Sequence, residues 1–232
     1  MLQTTIGWCG LRLPSTNRSA MLATMHHATW TTASQPGRNS IGGHPYLPTN
    51  VSWPVCPKSG NRMVLFLQFD VAPEYGLALA PGSHVLAFHS PTVNEINTFE
   101  RNEPDMPAYW AKREPHYQIL IFGPEAELVE HPDEDGYLVP HALTFEPVAK
   151  VSDPFFYLGG QPRWYQDDET KGDFAFIGML SENFPFVKKP EAPKQPGTFD
   201  RNAYSMFLGN ATYFFARARP TVPDEVYVVL QN

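Results

Sequence analysis

The chain has 232 residues, of which 42% are hydrophobic and 13% aromatic, and its formal net charge at pH 7 is −7. Its length allows one or two domains with a sizeable core, and its aromatic content excludes a disordered chain. The acidic balance excludes a generally basic, nucleic-acid-binding surface and would instead attract a basic partner. The 24 prolines and 16 glycines make long helices scarce and favour short strands with irregular connections.

The chain shows no pattern of export or membrane insertion. Its two cysteines, Cys9 and Cys56, lie far apart and outside any C-x-x-C motif, which is typical of reduced cytosolic thiols. Residues 1–18 lack the basic region and apolar run of a signal peptide. No apolar stretch approaches the roughly 20 residues of a membrane-spanning helix. We therefore expect a cytoplasmic protein with no membrane partner.

Helices are expected at three short places. Ser15 or Thr16 can cap a helix that reaches about His27, with apolar residues on one face. A short helix fits residues 108–113, and a helical turn fits residues 203–208.

Strands account for most of the predicted structure. The run MVLFLQFDV at residues 63–71 is almost continuously apolar, which indicates a strand buried on both faces. We expect it to pair with, or lie next to, the strand predicted at residues 85–89. Its counterpart in the second half of the chain is FAFIGML at residues 174–180. Further strands are predicted at residues 117–122, 211–218 and 225–231. Together with the helices, these strands predict an α+β fold of mostly antiparallel sheets.

Two similar glycine turns organise the chain. Residues 41–45 read IGGHP, and residues 158–162 read LGGQP. Glycine adopts positive φ without steric cost and proline fixes φ near about −65°, so each copy predicts a tight turn that leads into an extended segment. Neither copy matches the glycine patterns that bind phosphate, and we expect no cofactor. The repeat predicts a single domain with two weakly duplicated halves, at about residues 40–150 and 151–232, after an N-terminal extension of residues 1–39.

Short motifs follow both turns. Trp53-Pro54 and the apolar residues 65–69 follow the first turn, while residues 160–167 match G-x-P-x-x-x-Q-D and residues 209–211 match G-[ND]-A. Together these motifs resemble the YwqG-like family, a family of unknown function, over about residues 40–230. The resemblance implies an α+β fold with an internal duplication, and no established catalytic residue. Because members of this family also occur beside bacterial toxin genes, the resemblance also implies an immunity protein.

Acidic residues are concentrated in two segments. Residues 125–135 hold six carboxylates and no basic residue, and residues 167–169 are acidic shortly after the second glycine turn. Such segments can contact a basic protein groove, although most charge runs are solvated loops. Asp167 and Asp168 point to opposite faces of an extended chain, and an aspartate in a turn often bonds its own backbone two residues on. The predicted partner-binding carboxylates are Glu130, Asp133, Glu134, Asp135, Asp167, Asp168 and Glu169.

One aromatic residue joins these carboxylates as a predicted contact. Trp164 lies in the trio Arg163-Trp164-Tyr165, whose residue types are favoured as anchors of protein interfaces. The alternative for this residue is core filling between two sheets.

Catalytic and metal-binding patterns are missing from the sequence. No histidine pair shows H-E-x-x-H spacing, and no serine lies in G-x-S-x-G. Cys56 lies between Pro54 and Pro57 and is interpreted as a packing residue, unless the fold brings a histidine to it. We therefore expect no catalytic residue, no metal and no enzymatic activity.

The leading hypothesis is a non-enzymatic immunity protein that binds and occludes a cognate bacterial toxin. A nuclease toxin, such as a type VI secreted effector, would present a basic active-site groove to the acidic segments, and this chain would not contact nucleic acid directly. The alternative is a small-molecule-binding protein or an undescribed enzyme that uses a cleft between the two halves, lined by Asp167, His44 or Gln68. A scaffold role, suggested only by the proline-rich residues 185–198, is a third hypothesis.

Overall fold

The computed structural model describes most of the chain, and all structural statements refer to that part. The described residues are 24–90, 116–132, 136–149, 156–181, 184, 186–194, 202–204, 211–218 and 226–231. Within them the protein is almost entirely β-strand, and its only helical element is one 3₁₀ turn at Pro73–Tyr75. The predicted α+β class is therefore wrong, because local helix signals gave way to long-range strand pairing.

Ten strands form one sheet that curls into a nearly closed barrel. Its order is β14-β13-β10-β9-β1-β8-β2-β4-β5-β6, and every neighbouring pair is antiparallel. Two small ribbons, β3–β7 and β11–β12, lie beside it. The strands in chain order are β1 Met25–Thr32, β2 Ser40–Ile41, β3 Tyr46–Leu47, β4 Val64–Asp70, β5 His84–His89, β6 Tyr117–Phe122, β7 Val129–Glu130, β8 His141–Val148, β9 Phe156–Leu158, β10 Ala175–Ser181, β11 Phe186–Val187, β12 Ala203–Tyr204, β13 Ala211–Ala216 and β14 Val226–Gln231.

The strongest apolar runs were predicted correctly. Strands β4, β5, β6, β10, β13 and β14 confirm the predicted strands, and the expected pairing of β4 with β5 is confirmed from Val64↔His89 to Asp70↔His84. Six of the seven residues of β4 are buried. This burial on both faces explains why its sequence is nearly continuous in apolar residues.

The predicted helices were not found where the structure can test them. The helix expected to reach His27 overlaps β1, which starts at Met25 and lies in the middle of the sheet. The helical turn expected over 203–208 begins as strand β12. Residues 108–113 lie outside the described residues. In β1, His26 and Ala28 alternate with more exposed neighbours, so pairing with β8 and β9 decides the structure rather than local propensity.

Each half of the sheet follows the same plan. One half has the strand order β2-β4-β5-β6 and the other has the order β9-β10-β13-β14. The pair β1–β8 lies between the two halves in the sheet. Ile41 pairs with Leu67 just past a bulge in β4, and Leu158 pairs with Gly178 just past a bulge in β10. On this register match we propose that the two halves are duplicates, as the repeat of glycine turns predicts.

The core has a central part and two outer parts. The central cluster fills the inside of the sheet. On the outer face of the first half, Leu65, Leu86 and Phe88 form a cluster that residues 47–63 cover. On the outer face of the second half, Tyr157, Tyr213 and Phe215 belong to a corresponding cluster that residues 161–174 help to cover.

The described part of the chain has no helix of the length and apolar character that crossing a membrane requires. The cytoplasmic location stays a prediction.

Candidate functional site

The first glycine turn shapes the best candidate site. Gly42 and Gly43 have φ of 59° and 78°, in the left-handed region that favours glycine. A Cβ atom on Gly42 would lie 2.8 Å from the Cβ atom of Leu138, and one on Gly43 would lie 2.9 Å from the Pro36 ring. The turn therefore requires glycine for both conformation and space. It reverses the chain after β2, so that residues 44–47 run back over the outer face of β4.

Two adjoining depressions flank this turn, and we call them together the turn groove. They share Gly43, Gly136 and Leu138. One lies beside Trp53 and Arg62 and has a volume of about 200 Å³, and the other has a volume of about 100 Å³. The polar side chains that line the second depression are those of Ser34, Gln35, His44, Tyr46, Glu130 and Lys189.

Trp53 and Arg62 form one wall of the turn groove. The indole nitrogen of Trp53 donates a hydrogen bond of 2.7 Å to the carbonyl oxygen of Met63, and its ring meets Phe88 edge-on. The guanidinium carbon of Arg62 lies 3.7 Å from the centre of the Trp53 ring, within the range of a cation–π contact. The wall is therefore fixed in place and carries a positive charge.

Glu130 and His44 form the opposite end of the groove. The ribbon β3–β7 places Tyr46 across from Glu130, and the His131 amide donates to the Pro45 carbonyl. His44 Nδ1 lies 2.7 Å from Glu130 Oε1, while 46% of the Glu130 side chain remains exposed. Nε2 of His131 is buried and has no hydrogen-bond partner among the described residues. The structure thus places the predicted contact residue Glu130 at the groove, held by backbone and side chain together.

A charged cluster lies next to Tyr46, which lines the groove. Asp70 Oδ1 accepts hydrogen bonds from Arg38 Nη2 at 2.7 Å and from Nδ1 of the fully buried His84 at 2.9 Å. Burial alone would raise the pKa of Asp70, but the hydrogen bonds and charges of His84 and Arg38 outweigh that effect, so the pKa lies below its ordinary value. Asp70 is therefore a carboxylate that Arg38 and His84 bond at the same oxygen.

Gln68 connects this cluster to the turn. Its amide nitrogen donates to the His44 carbonyl at 2.7 Å and to Ser40 Oγ at 3.0 Å. Its amide oxygen accepts from the Tyr46 backbone at 3.1 Å and lies 3.2 Å from His84 Nε2. One buried side chain therefore fixes both ends of residues 44–46, which line the groove.

Arg38, Ser40, Asp70 and His84 were not predicted as site residues from the sequence, and Gln68 was predicted only under the alternative hypothesis. A signal was present, because Gln68 and Asp70 are the two polar interruptions of the apolar run of β4. A polar side chain in a strand that is buried on both faces costs free energy unless it is bonded. Such interruptions therefore indicate a network, although the sequence does not show its partners.

Trp164 lies on the second half, within the outer cluster there. Its ring is nearly parallel to Phe215 at 5.8 Å and lies 4.6 Å from Tyr213. The hydroxyl of Tyr213 donates to the Arg163 carbonyl, and the hydroxyl of Tyr157 donates to the Gln161 carbonyl. The loop that carries Trp164 is thus packed down onto the sheet, and the arrangement has the features of the core-filling alternative.

The second acidic segment, residues 167–169, is tied to the buried Gln231. The Gln231 amide oxygen accepts from the backbone of Tyr165 and Gln166, and its nitrogen donates to the Asp167 carbonyl and to Glu169 Oε1.

Asp168 and Asp167 in this segment differ in their contacts. Hydrogen bonds from the Thr170 side chain and from its backbone amide lower the pKa of Asp168. The amide lies 2.8 Å from Asp168 Oδ1, which confirms the turn chemistry expected of at least one of the two aspartates. The side chain of Asp167 is exposed.

The two acidic segments begin at opposite ends of the sheet. The edge strands β14 and β6 run in opposite directions, because all nine intervening pairs are antiparallel. The first segment follows the carboxyl end of β6, and the second is held by Gln231 at the carboxyl end of β14. Asp133, Glu134 and Asp135 lie outside the described residues.

The fold brings a histidine to Cys56, a point that the sequence left open. Cys56 Sγ lies 3.6 Å from His116 Nδ1, but their exposed fractions are only 0% and 4%. Because both side chains are buried, this pair is not an accessible nucleophile. The described residues also contain no group of three side chains suited to hold a metal ion.

Comparison of the chain with protein-family models and with curated proteins finds no match. The similarity to the YwqG-like family therefore rests on the short motifs alone and stays a prediction.

Proposed function

We propose that this protein is a non-enzymatic binding protein that recognises a basic protein partner through the ribbon β3–β7 and the turn groove. The observation that carries the proposal is the run of exposed carboxylates Glu125, Glu127 and Glu130, the last of which lines the groove. Within the described part of the chain, no lysine or arginine forms an ion pair with any of the three. A partner can therefore supply the missing cations.

The physical basis is steering combined with a fixed contact point. Exposed carboxylates of one sign accelerate encounter with a basic groove, and each exposed pair adds only about 0.2–1 kcal/mol. Affinity then requires an apolar contact in addition. Val129, whose exposed fraction is 41%, lies next to Glu130 in the same ribbon and supports this role.

A cognate bacterial toxin is the partner that we propose, and its neutralisation would occur by occlusion of its active site. A nuclease, for example a type VI secreted effector, fits best because its groove must bind phosphates and is basic. The two acidic segments begin at opposite ends of the sheet, so one groove is expected to contact one of them. We assign the contact to residues 125–135 rather than to residues 167–169.

Charge reversal at matched sites tests this assignment. The double variant Glu127→Lys/Glu130→Lys changes one free carboxylate and one hydrogen-bonded carboxylate of the first segment. Its control, Asp167→Lys/Glu169→Lys, does the same in the second segment. We expect the first variant to weaken binding of the toxin encoded next to this gene at least about tenfold, which corresponds to roughly 1.4 kcal/mol, and to reduce its salt dependence.

The control variant is expected to keep the affinity within about twofold, a change well below 1 kcal/mol. Loss of binding in the control alone would move the interface to the second half. Full binding by both variants would contradict an acidic interface.

A small-molecule-binding protein is the second candidate. The stacked and hydrogen-bonded wall of Trp53 and Arg62 favours it, because preorganised aromatic and cationic groups suit a flat anionic ligand. A thermal-shift screen of aromatic carboxylates on the wild type and on Arg62→Gln tests this candidate. Stabilisation that is lost in the variant would support it, and the absence of any shift would exclude this ligand class.

A further inference from the structure

The hydrogen bonds around Gln68 fix the direction of its amide. The amide nitrogen faces the carbonyl oxygen of His44 and the hydroxyl of Ser40, and the amide oxygen faces the backbone N–H of Tyr46. Ser40 Oγ in turn donates to the Gly42 carbonyl at 2.9 Å, so it accepts from Gln68. A flipped amide would point its oxygen at the His44 carbonyl and its nitrogen at the Tyr46 N–H.

The direction of the Gln68 amide determines which ring nitrogens of His84 need a proton for their hydrogen bonds. Nε2 of His84 faces the amide oxygen of Gln68, which only accepts, so Nε2 must carry a proton. Nδ1 faces the carboxylate of Asp70, which also only accepts, so Nδ1 must carry one too. Both bonds together require a doubly protonated, cationic ring, and this ring is fully buried.

Few charged or titratable groups face this ring. Asp70 lies beside it on β4, and Arg38 bonds the same carboxylate oxygen. The Tyr46 ring meets the imidazole edge-on at 6.3 Å, with the Arg38 guanidinium carbon 5.8 Å from the centre of that ring. On β6, the residue paired with His84 is Phe122, which does not titrate.

We infer that His84 is a proton-dependent lock beside the turn groove. Its doubly protonated form holds Gln68 and, through Gln68, residues 44–46. Loss of one proton leaves the bond from Nδ1 to Asp70, because a carboxylate is the stronger acceptor. The bare Nε2 then faces the Gln68 oxygen, and two acceptors repel each other. Gln68 cannot turn without losing its bonds to Ser40 and His44, so residues 44–46 loosen as the pH rises.

The lock lies at the face that the proposed function uses. The lock itself is independent of the proposed function, and only its expected effect on partner binding rests on that function. His84 itself does not contact the groove, so it is a positioning residue. Raised pH is expected to weaken partner binding by loosening the ribbon that carries Glu130.

Amide exchange and nitrogen NMR on the unliganded protein test the lock without any partner. We measure the protection of the Tyr46 amide, which donates to Gln68, relative to the Gly159 amide, which donates to Ile177 in the second half. The pH range runs from about 6 to about 9, which brackets the titration of histidine side chains. We expect two protonated nitrogens on His84 at the acidic end and a fall of at least about tenfold in this ratio as one proton is lost.

A ratio that stays constant over the whole range overturns the inference, whether His84 keeps two protons or has only one throughout. The variant His84→Gln should give a low ratio that does not change with pH. The control His26→Gln removes another buried histidine, whose Nδ1 bonds the Thr24 carbonyl, and should keep the wild-type response. If the toxin fails to bind at any pH, the proposed function is wrong, and the exchange experiment still decides on the lock.

Discussion

The outer faces of the two halves share one plan and differ in their chemistry. In each half, a glycine turn sends the chain back across the sheet, and the amides of Gly42 and Gly159 bond the bulged residues Phe66 and Ile177. The first half leaves an open groove over a charged network. The second half closes the same region with the aromatic rings of Trp164 and its neighbours.

Matching positions make this difference specific. The register places Gln68, Asp70 and His84 of the first half at the positions of Met179, Ser181 and Ala211 in the second. The second half therefore builds the same strands without a charged network. Ion pairs such as that of Arg38 and Asp70 add little net stability compared with apolar residues, so their presence in the first half favours a role in binding rather than in folding.

The largest expected effect comes from the rings at one matched position. Phe215→Ala should lower the free energy of unfolding by about 3–5 kcal/mol, because Phe215 is fully buried and stacks with Tyr227 and Trp164. Phe88→Ala should cost less, because Trp53 is its one ring partner among the described residues. Urea unfolding of both variants shows which one loses more free energy of unfolding. A larger loss for Phe88→Ala would contradict the assignment of the second half as the packed one.

Alkaline pH should destabilise the protein through Tyr157, at the position that Ser40 occupies in the first half. Burial raises the pKa of Tyr157 to about 12. Its neutral form stabilises the fold fully below the unfolded value of about 10, and this contribution, roughly 2–3 kcal/mol, is lost as the pH rises towards 12. Unfolding experiments on the wild type and on Tyr157→Phe should show a shallower alkaline decline in the variant. Equal declines would mean that this hydroxyl is not buried as described.

Exchanging residues between the halves should have a smaller effect. Gln68→Met should cost about 1–3 kcal/mol, because His44, Tyr46 and His84 lose a buried partner. The triple variant Gln68→Met/Asp70→Ser/His84→Ala should be destabilised by less than the sum of its three single variants, because it removes the charges together. Thermal and urea unfolding of the triple variant and of the three single variants measure the four changes in the free energy of unfolding. Strict additivity would argue against a connected network.

The sequence predicted the strands whose own residues contain the signal, and failed where distant residues decide. The apolar runs of β4 and β10 are sufficient to predict these strands. The local sequence of β1 instead predicts the end of a helix, and its strand conformation is determined by pairing with β8, as in the hydrogen bond between Thr29 and Thr144. Two-residue strands such as β2 and β3 exist only through their partners.

The candidate site was predictable only in part, because the sequence shows local signals but not their distant partners. The acidic run indicated Glu130, but no sequence pattern links it to His44, 86 positions away. Gln68 and Asp70 were visible as polar interruptions of an apolar strand, and their partners in space were not.

Hydrogen–deuterium exchange of the protein with and without its toxin tests the central claim, that the first half carries the binding face. Exchange of residues 44–47 and 127–131 should slow in the complex, while residues 161–171 of the second half should keep the exchange of the free protein. Protection of residues 161–171 with no change around the turn groove would contradict the account.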